Sequence, residues 1–388
     1  MTVNILVRCC SWNAFSRPSP PPPQSSVAHT QGTKNSRQRR GKAESGEGRR
    51  EARDKRGKME SPSALPSLDQ LLKEQGADQT LTDLILAILD RCGKIASALQ
   101  GTSVDKVGSV NEFGDEQLTV DVIAENLLRS WAQSSEGSAV RAVCSEEDIH
   151  LQECHKNGEF ILCWDPLDGS SIIDCNWAVG SIVSIWRIGH HGVQWQGADT
   201  LIQKTGRQQV ASLIVVYGPR TTGVVAVNVD AGGIVKEGTA LDLEMKDNGK
   251  FICRGKPIIK PQAKIFSPAN LRAAQDLPAY KQLIEFWMEK RYTLRYTGGL
   301  VPDVYQIFVK QQGVFCNPAS KAAPAKLRMC FEVLAIALVV EAAGGRTSNG
   351  QKSLLDVAIE HMDHRSALCC GSADEIKRME ETFAALSG

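Results

Sequence analysis

The stretch FILCWDPLDGSS at 160–171 narrows what this chain can fold into more than any other. An apolar run reads as a strand, 160–164, that delivers Asp165 and Asp168 straight into a turn made by Gly169, Ser170 and Ser171. A second acidic group, Glu146 and Glu147 in CSEED, stands shortly before it. Four clustered carboxylates repel one another unless a cation sits among them. Hard divalent ions such as Mg2+ take oxygen ligands of this kind, one or two carboxylates per ion with phosphate oxygens and water completing the shell. The backbone N–H groups of a Gly-Ser-Ser turn can cradle a phosphate. Acids and anion nest in one segment point to metal-assisted phosphoryl chemistry.

Further acids extend the group. Asp115 and Asp121 lie in NEFGDEQLTVD, where Asp115 is expected at the start of a helix and Asp121 two turns into it, and Glu332 lies in KLRMCFE.

The chain is long enough, at 388 residues, for two domains with large cores. Charge is unevenly divided: residues 1–58 hold 13 Lys/Arg against 4 Asp/Glu, a tail of +9, which leaves −8 on residues 59–388. An acidic body argues against nucleic acid as a partner. The apolar run Val333 to Val340 is far too short to span a bilayer, so no membrane role is expected. Twelve cysteines without a CxxC pair suggest neither a disulfide scaffold nor a zinc site, and fit a reducing compartment.

Residues 1–60, with PSPPPP at 18–23 and a Ser/Gly/Arg/Lys-rich run to Lys58, are expected to be a disordered basic tail or a targeting segment. The first 42 residues carry seven basic and no acidic residues, as organelle transit peptides do. Against that stand the highly charged run 39–58 and Met59 as an alternative start. A soluble, cytoplasmic protein is the first expectation; the chloroplast stroma, reached through residues 1–58, is the alternative.

From Leu65 the periodicity predicts one or two amphipathic helices over 68–100 and another over 118–132. Strands are expected at 160–164, 178–186, 210–217 and 223–229. Beyond a boundary at Pro261 to Pro268 come helices over 279–290, 303–310 and 326–343 and strands at 313–316 and 366–370. The fold class is α/β (α+β), layered, with a larger mixed-sheet N-terminal domain (65–262) and a smaller α/β C-terminal domain (263–388).

NEFGDEQLTVD, CSEED, WDPLDGSSIID, RYTGGLVPDV and KLRMCFE, in this order, resemble the fructose-1,6-bisphosphatase family. YGPRTT (217–222), SPANLRA (267–273) and LRYTGGLVPDV (294–304) resemble its sedoheptulose-1,7-bisphosphatase branch. The resemblance spans roughly residues 68–386. It implies Glu146, Glu147, Asp165, the Leu167 carbonyl, Asp168, Glu332 and Asp121 as ligands of two or three Mg2+ ions. Asp115 and Glu147, with Asp121, are implied as the acids that orient and deprotonate the attacking water. Gly169, Ser170 and Ser171 would hold the phosphate to be cleaved. Asn270, Arg295 and Tyr296 would grip the phosphate that stays, with Lys326 near the sugar. Arg295 is implied to reach across from a neighbouring subunit, so a homodimer or homotetramer is expected.

The chain departs from the fructose branch at Asn317 and Ala273, where that branch carries tyrosines. Both changes favour a sugar one carbon longer. The cysteine loop of plastid enzymes has no counterpart in GTSVDKVGSV at 101–110, and the pattern for AMP inhibition is not recognisable. The expected activity is Mg2+-dependent removal of the 1-phosphate of sedoheptulose 1,7-bisphosphate, in the Calvin cycle or related metabolism. A fructose-1,6-bisphosphatase or dual-specificity enzyme is the alternative. A more distant one is an inactive sugar-phosphate binder, whose signature would be loss of a metal acid; all seven acids are present.

Overall fold

The computed structural model describes residues 66–110, 116–229 and 234–386, with the side chains of 109, 110, 116 and 117 excepted. The expected tail and Asp115 lie outside the described residues. Helices α1 (Leu68–Glu74) and α2 (Gln79–Gly101) begin at Ser67 and Asp78, whose side chains accept the N–H groups of Gln70 and Leu81. A two-stranded ribbon, β1 (Lys106–Val110) with β2 (Glu116–Leu118), leads into α3 (Thr119–Gln133). Eight strands follow: β3 (Val140–Ser145), β4 (Gln152–Glu153), β5 (Phe160–Asp168), β6 (Val179–Arg187), β7 (Gln209–Tyr217), β8 (Thr221–Val227), β9 (Ala240–Met245) and β10 (Phe251–Gly255). The short α4 (Ser170–Ile173) lies between β5 and β6. These strands make one sheet in the order β10-β9-β8-β7-β6-β5-β3-β4. All its pairings are antiparallel except β3 with β5.

The remainder comprises β11 (Ile265–Pro268), α5 (Pro278–Glu289), β12 (Thr293–Leu294), α6 (Leu300–Lys310), β13 (Val314–Asn317), α7 (Leu334–Ala342), β14 (Arg346–Ser348), β15 (Leu368–Gly371) and α8 (Ala373–Leu386). Its strands form a second sheet, β12-β11-β13-β15-β14.

Alternation along β5 explains the layering. Phe160, Leu162 and Trp164 pack with α1, α2 and α3, whereas Ile161 and Cys163 face a core shared with α6 and α7. That core also takes Phe315, Leu368 and Cys370 from the second sheet, so α6 and α7 lie between the two sheets. The other face of the second sheet packs on α5 and α8. Such a position accounts for α7, LAIALVVEA, in which eight of nine residues are buried: a helix with apolar contacts all round needs a sheet on each side. Close approach of α6 needs Gly180, because a Cβ there would stand 2.5 Å from both the Val215 carbonyl and Val301 Cγ1.

Three expectations are corrected. The strand expected at 160–164 runs on to Asp168, because its pairing with β6 continues past a bulge between Asp165 and Asp168. The helix expected from 326 begins only at Met329, with a π-helical turn over Met329–Val333, while Arg328 bridges to Arg365 in extended backbone. Asp121 lies in the first turn of α3 and accepts the Leu118 N–H at 2.9 Å; it is not two turns in.

Candidate active site

A cavity of about 680 Å3 opens where β3 and β5 end beside the start of α7. Its lining includes Asp121, Glu146, Glu147, Asp165, Leu167, Asp168, Gly169, Ser170, Ser171, Lys326 and Glu332.

The bulge assembles the acids. Asp165 pairs with Ile182 and Asp168 with Gly180, so Pro166 and Leu167 together oppose Ser181. In a regular strand, residues three apart point to opposite faces; one extra residue turns both carboxylates to the same side. The Leu167 N–H donates to Asp165 at 2.9 Å, and Ser181 donates to the Pro166 carbonyl at 2.6 Å. Gly169 follows at φ +91°, a conformation that glycine adopts freely, and starts α4 with Ser170 and Ser171 at the cavity wall.

Glu332 reaches the same place from the π-helical turn, a geometry that often marks functional sites. One oxygen from each of Asp165, Asp168 and Glu332 lies within 4.8 Å of the others, and all three residues are buried. Burial, then the neighbouring carboxylates, raises the Asp165 pKa well above the usual carboxylate range, and Glu332 is raised by burial and by Glu146. Burial pushes Asp168 up to about 7 against the pull of two backbone N–H groups, and Asp121 up to about 6. Each shift reports the cost of crowding negative charge in a poorly solvated place. Three buried carboxylates that converge on one point offer an oxygen-only donor set, which suits a hard metal ion, so the residues fit such a group.

Asp168 also ties the first sheet to α6, accepting the N–H groups of Leu300 at 3.3 Å and Val301 at 2.7 Å where that helix begins. Ahead of it, Asp303 accepts from Thr297 at 2.8 Å and Gly298 at 3.0 Å and so holds the TGG turn.

Asn270, Arg295, Tyr296 and Asn317 are not brought to this cavity. They gather instead at one edge of the second sheet. β12, β11 and β13 are parallel, so Leu294, Pro268 and Asn317 end on the same side, and Arg295, Tyr296 and Asn270 follow directly. The carboxyl ends of parallel strands commonly bind ligands. Asn270 holds a left-handed φ of +48° and donates to the carbonyls of Pro318 at 2.8 Å and Ala323 at 3.1 Å. Arg295 and Tyr296 are exposed. Ala273, by contrast, is fully buried in the core with Tyr280, so its small size affects packing beneath this edge and opens no volume at the surface.

The sequence reading missed Arg328. It is 4% exposed, lines the cavity, pairs with Glu146, and reaches Asp363 at 3.3 Å. Its backbone N–H also donates to Glu332 at 2.7 Å. Its place in KLRMCFE was a signal; Asp363 and Arg365, remote in sequence, gave none.

A buried acid cluster on a bulged strand, an anion-binding turn beside it and layered α/β sheets define a phosphoric monoester hydrolase. The chain belongs to the fructose-1,6-bisphosphatase family: the family's N-terminal domain model matches residues 66–254 and its C-terminal domain model residues 259–384. It is 40% identical over 319 residues to the chloroplastic sedoheptulose-1,7-bisphosphatase of Triticum aestivum, covering 82% of this chain and 76% of the relative. It is 33% identical over 316 residues to a class 1 fructose-1,6-bisphosphatase of Syntrophotalea carbinolica, covering 81% and 92%. A crystal structure described as a "Putative Sedoheptulose-1,7 bisphosphatase" from Toxoplasma gondii is 95% identical, with a TM-score of 0.79, over 84% of this chain and 100% of that one. Among the described residues, no helix is long and apolar enough to cross a membrane.

Proposed function

We propose that this chain removes the 1-phosphate of sedoheptulose 1,7-bisphosphate, with two or three Mg2+ ions held by Glu146, Glu147, Asp165, Asp168, Glu332, Asp121 and the Leu167 carbonyl. The observation that carries this reading is the convergence of buried Asp165, Asp168 and Glu332 beside the Gly169 turn. When bound, Mg2+ would neutralise charge on the phosphoryl oxygens and make the attacking water more acidic. The backbone N–H groups of Gly169, Ser170 and Ser171 receive the reacting phosphate. Glu147 orients the nucleophilic water and takes its proton, with Asp121 and, outside the described residues, Asp115 as further acids. Lys326, exposed at the cavity rim, attends the sugar. Arg295, Tyr296, Asn270 and Asn317 hold the second phosphate, which contributes through positioning.

In this reading the segment 65–262 is the metal domain and 263–388 the sugar-phosphate domain, with Glu332 contributed to the metal site from the latter. Exposure of Arg295 next to Leu294, 60% exposed, and Tyr296, 46% exposed, supports a homodimer or homotetramer in which a second subunit covers that edge. Sedimentation velocity should then give no monomer at micromolar concentration.

Comparing turnover of sedoheptulose 1,7-bisphosphate with that of fructose 1,6-bisphosphate on purified protein tests the assignment. A preference above about tenfold for the seven-carbon ester, worth about 1.4 kcal/mol, is expected. The reverse preference would favour fructose-1,6-bisphosphatase, the name carried by the bacterial relative. Loss of hydrolysis in excess EDTA, restored by Mg2+, is expected in either case.

The acids predict a pH signature. Folded-state values near 6 for Asp121 and 7 for Asp168 lie above the ordinary 3.8, so between about pH 4 and 7 the metal-free native state binds more protons than the unfolded chain. Its stability from these groups is complete below about pH 4 and is lost as pH rises through 7. Bound cations offset the repulsion, so the rise in Tm on adding Mg2+ should be larger at pH 8 than at pH 5.5. An equal rise at both would refute this account.

A further inference from the structure

Helix α3 presents three charged residues one turn apart, Asp121, Glu125 and Arg129, a spacing that puts them on one face. The first lines the cavity. The other two pack behind it against the ends of β3 and β5. Glu125 accepts the Trp164 Nε1–H at 2.7 Å and pairs with Arg129 Nε at 2.5 Å. Arg129 donates to Ser145 Oγ at 3.2 Å and to Gln152 Oε1 at 2.8 Å. Both side chains are largely enclosed, Glu125 at 12% and Arg129 at 15% exposure, and Ser145 and Trp164 are fully buried.

Ser145 and Trp164 are register partners in the parallel pair β3/β5. Each immediately precedes a carboxylate of the site, Ser145 before Glu146 and Trp164 before Asp165. The two acids are further linked because the Glu146 N–H donates to the Trp164 carbonyl at 3.0 Å. Ser145 also closes the acidic turn: its Oγ accepts the Asp148 N–H at 3.1 Å, and its N–H donates to the Asp148 carbonyl at 2.9 Å. One ion pair on one helix therefore grips the residue ahead of each of two acids, while the same helix carries a third.

We infer that Glu125 and Arg129 form a positioning element for the metal site: they fix the spacing of Glu146 against Asp165 and tie both to Asp121. The inference rests on the metal-site reading above. Partners that orient ligands without touching the ion typically govern affinity by about 10–100-fold, so the element acts on metal binding before any substrate arrives.

The test is Mn2+ binding to the full chain, without substrate, followed by electron paramagnetic resonance, alongside Tm and steady-state kinetics. Arg129→Met should weaken Mn2+ binding about 10–100-fold and raise the Mg2+ concentration for half activity in parallel, while KM for the sugar bisphosphate at saturating Mg2+ stays within about twofold, because the groups read as phosphate-binding are untouched. Arg129→Lys keeps the charge opposite Glu125 without the fork to Ser145 and Gln152, and should fall between. Trp164→Phe keeps an aromatic ring, though a smaller one, and loses the N–H, and should weaken Mn2+ several-fold. A merely structural pair would lower Tm and leave Mn2+ affinity per folded molecule unchanged; that result in Arg129→Met overturns the inference. If Arg129→Met fails to fold, unchanged affinity in both other variants overturns it. Failure of the wild-type chain to bind Mn2+ would remove the metal-site reading itself, and this inference with it.

Discussion

Asp165→Asn is expected to abolish hydrolysis without harming the fold. Asp165 is 2% exposed, shares its pocket with Asp168 and Glu332, and sits where the bulge turns two acids to one side. In the proposed site its negative charge holds the cation. Metal stabilisation of a phosphoryl transition state is worth several kcal/mol, so turnover should fall on the order of 10^3-fold or more. The folded chain, however, gains. An asparagine oxygen can still accept the Leu167 N–H that Asp165 accepts at 2.9 Å, and a neutral amide removes both the cost of burying a charge and the repulsion from neighbouring carboxylates, which together raise the Asp165 pKa. At pH 8 and free of metal, the variant should therefore melt at or above the wild-type temperature, yet lose most of the rise in Tm on adding Mg2+. Calorimetry with and without Mg2+, beside an activity assay, checks both halves. Activity within tenfold of wild type would sink the proposed role, and a metal-free variant much less stable than wild type would sink the electrostatic argument.

Asp168 is expected to behave differently, because its carboxylate has a second task. It accepts the Leu300 and Val301 N–H groups where α6 begins, so removing it leaves buried donors without an acceptor. Each such orphan costs about 1–3 kcal/mol. Asp168→Ala should lose activity and also destabilise the chain by about 2 kcal/mol or more relative to Asp168→Asn, which keeps one oxygen for the Val301 N–H. Asp165 and Asp168 thus separate: both silence the enzyme, but only Asp168→Ala loosens the contact between the first sheet and α6. Equal melting temperatures for Asp168→Ala and Asp168→Asn would show that the α6 bonds contribute nothing.

Helix α3 was legible because its apolar residues recur at helical spacing, and the interior strands β6, β7 and β8 because their apolar runs are bounded by turn residues. The last two strands towards one edge of that sheet were not: β9, with half of its residues only partly buried, and β10, with Phe251 alone buried, carry no sustained apolar run. Parallel β11, β12 and β13 span two to four residues each, and only β13 was expected as a strand. The acids themselves were visible as a group, since no ordinary surface explains four carboxylates around an apolar strand and a Gly-Ser-Ser turn.

Which residue types could do the chemistry, and in which segments, followed from the chain of letters, since local composition fixes a strand's apolarity and a turn's glycine. What only the tertiary structure decided was geometry: the bulge that puts Asp165 and Asp168 on one side, the π-helical turn that brings Glu332 to them from 164 residues further along, and the Arg328 guanidinium buried against Glu146. Those arrangements depend on register and on contacts between distant segments, and a sequence read locally contains neither.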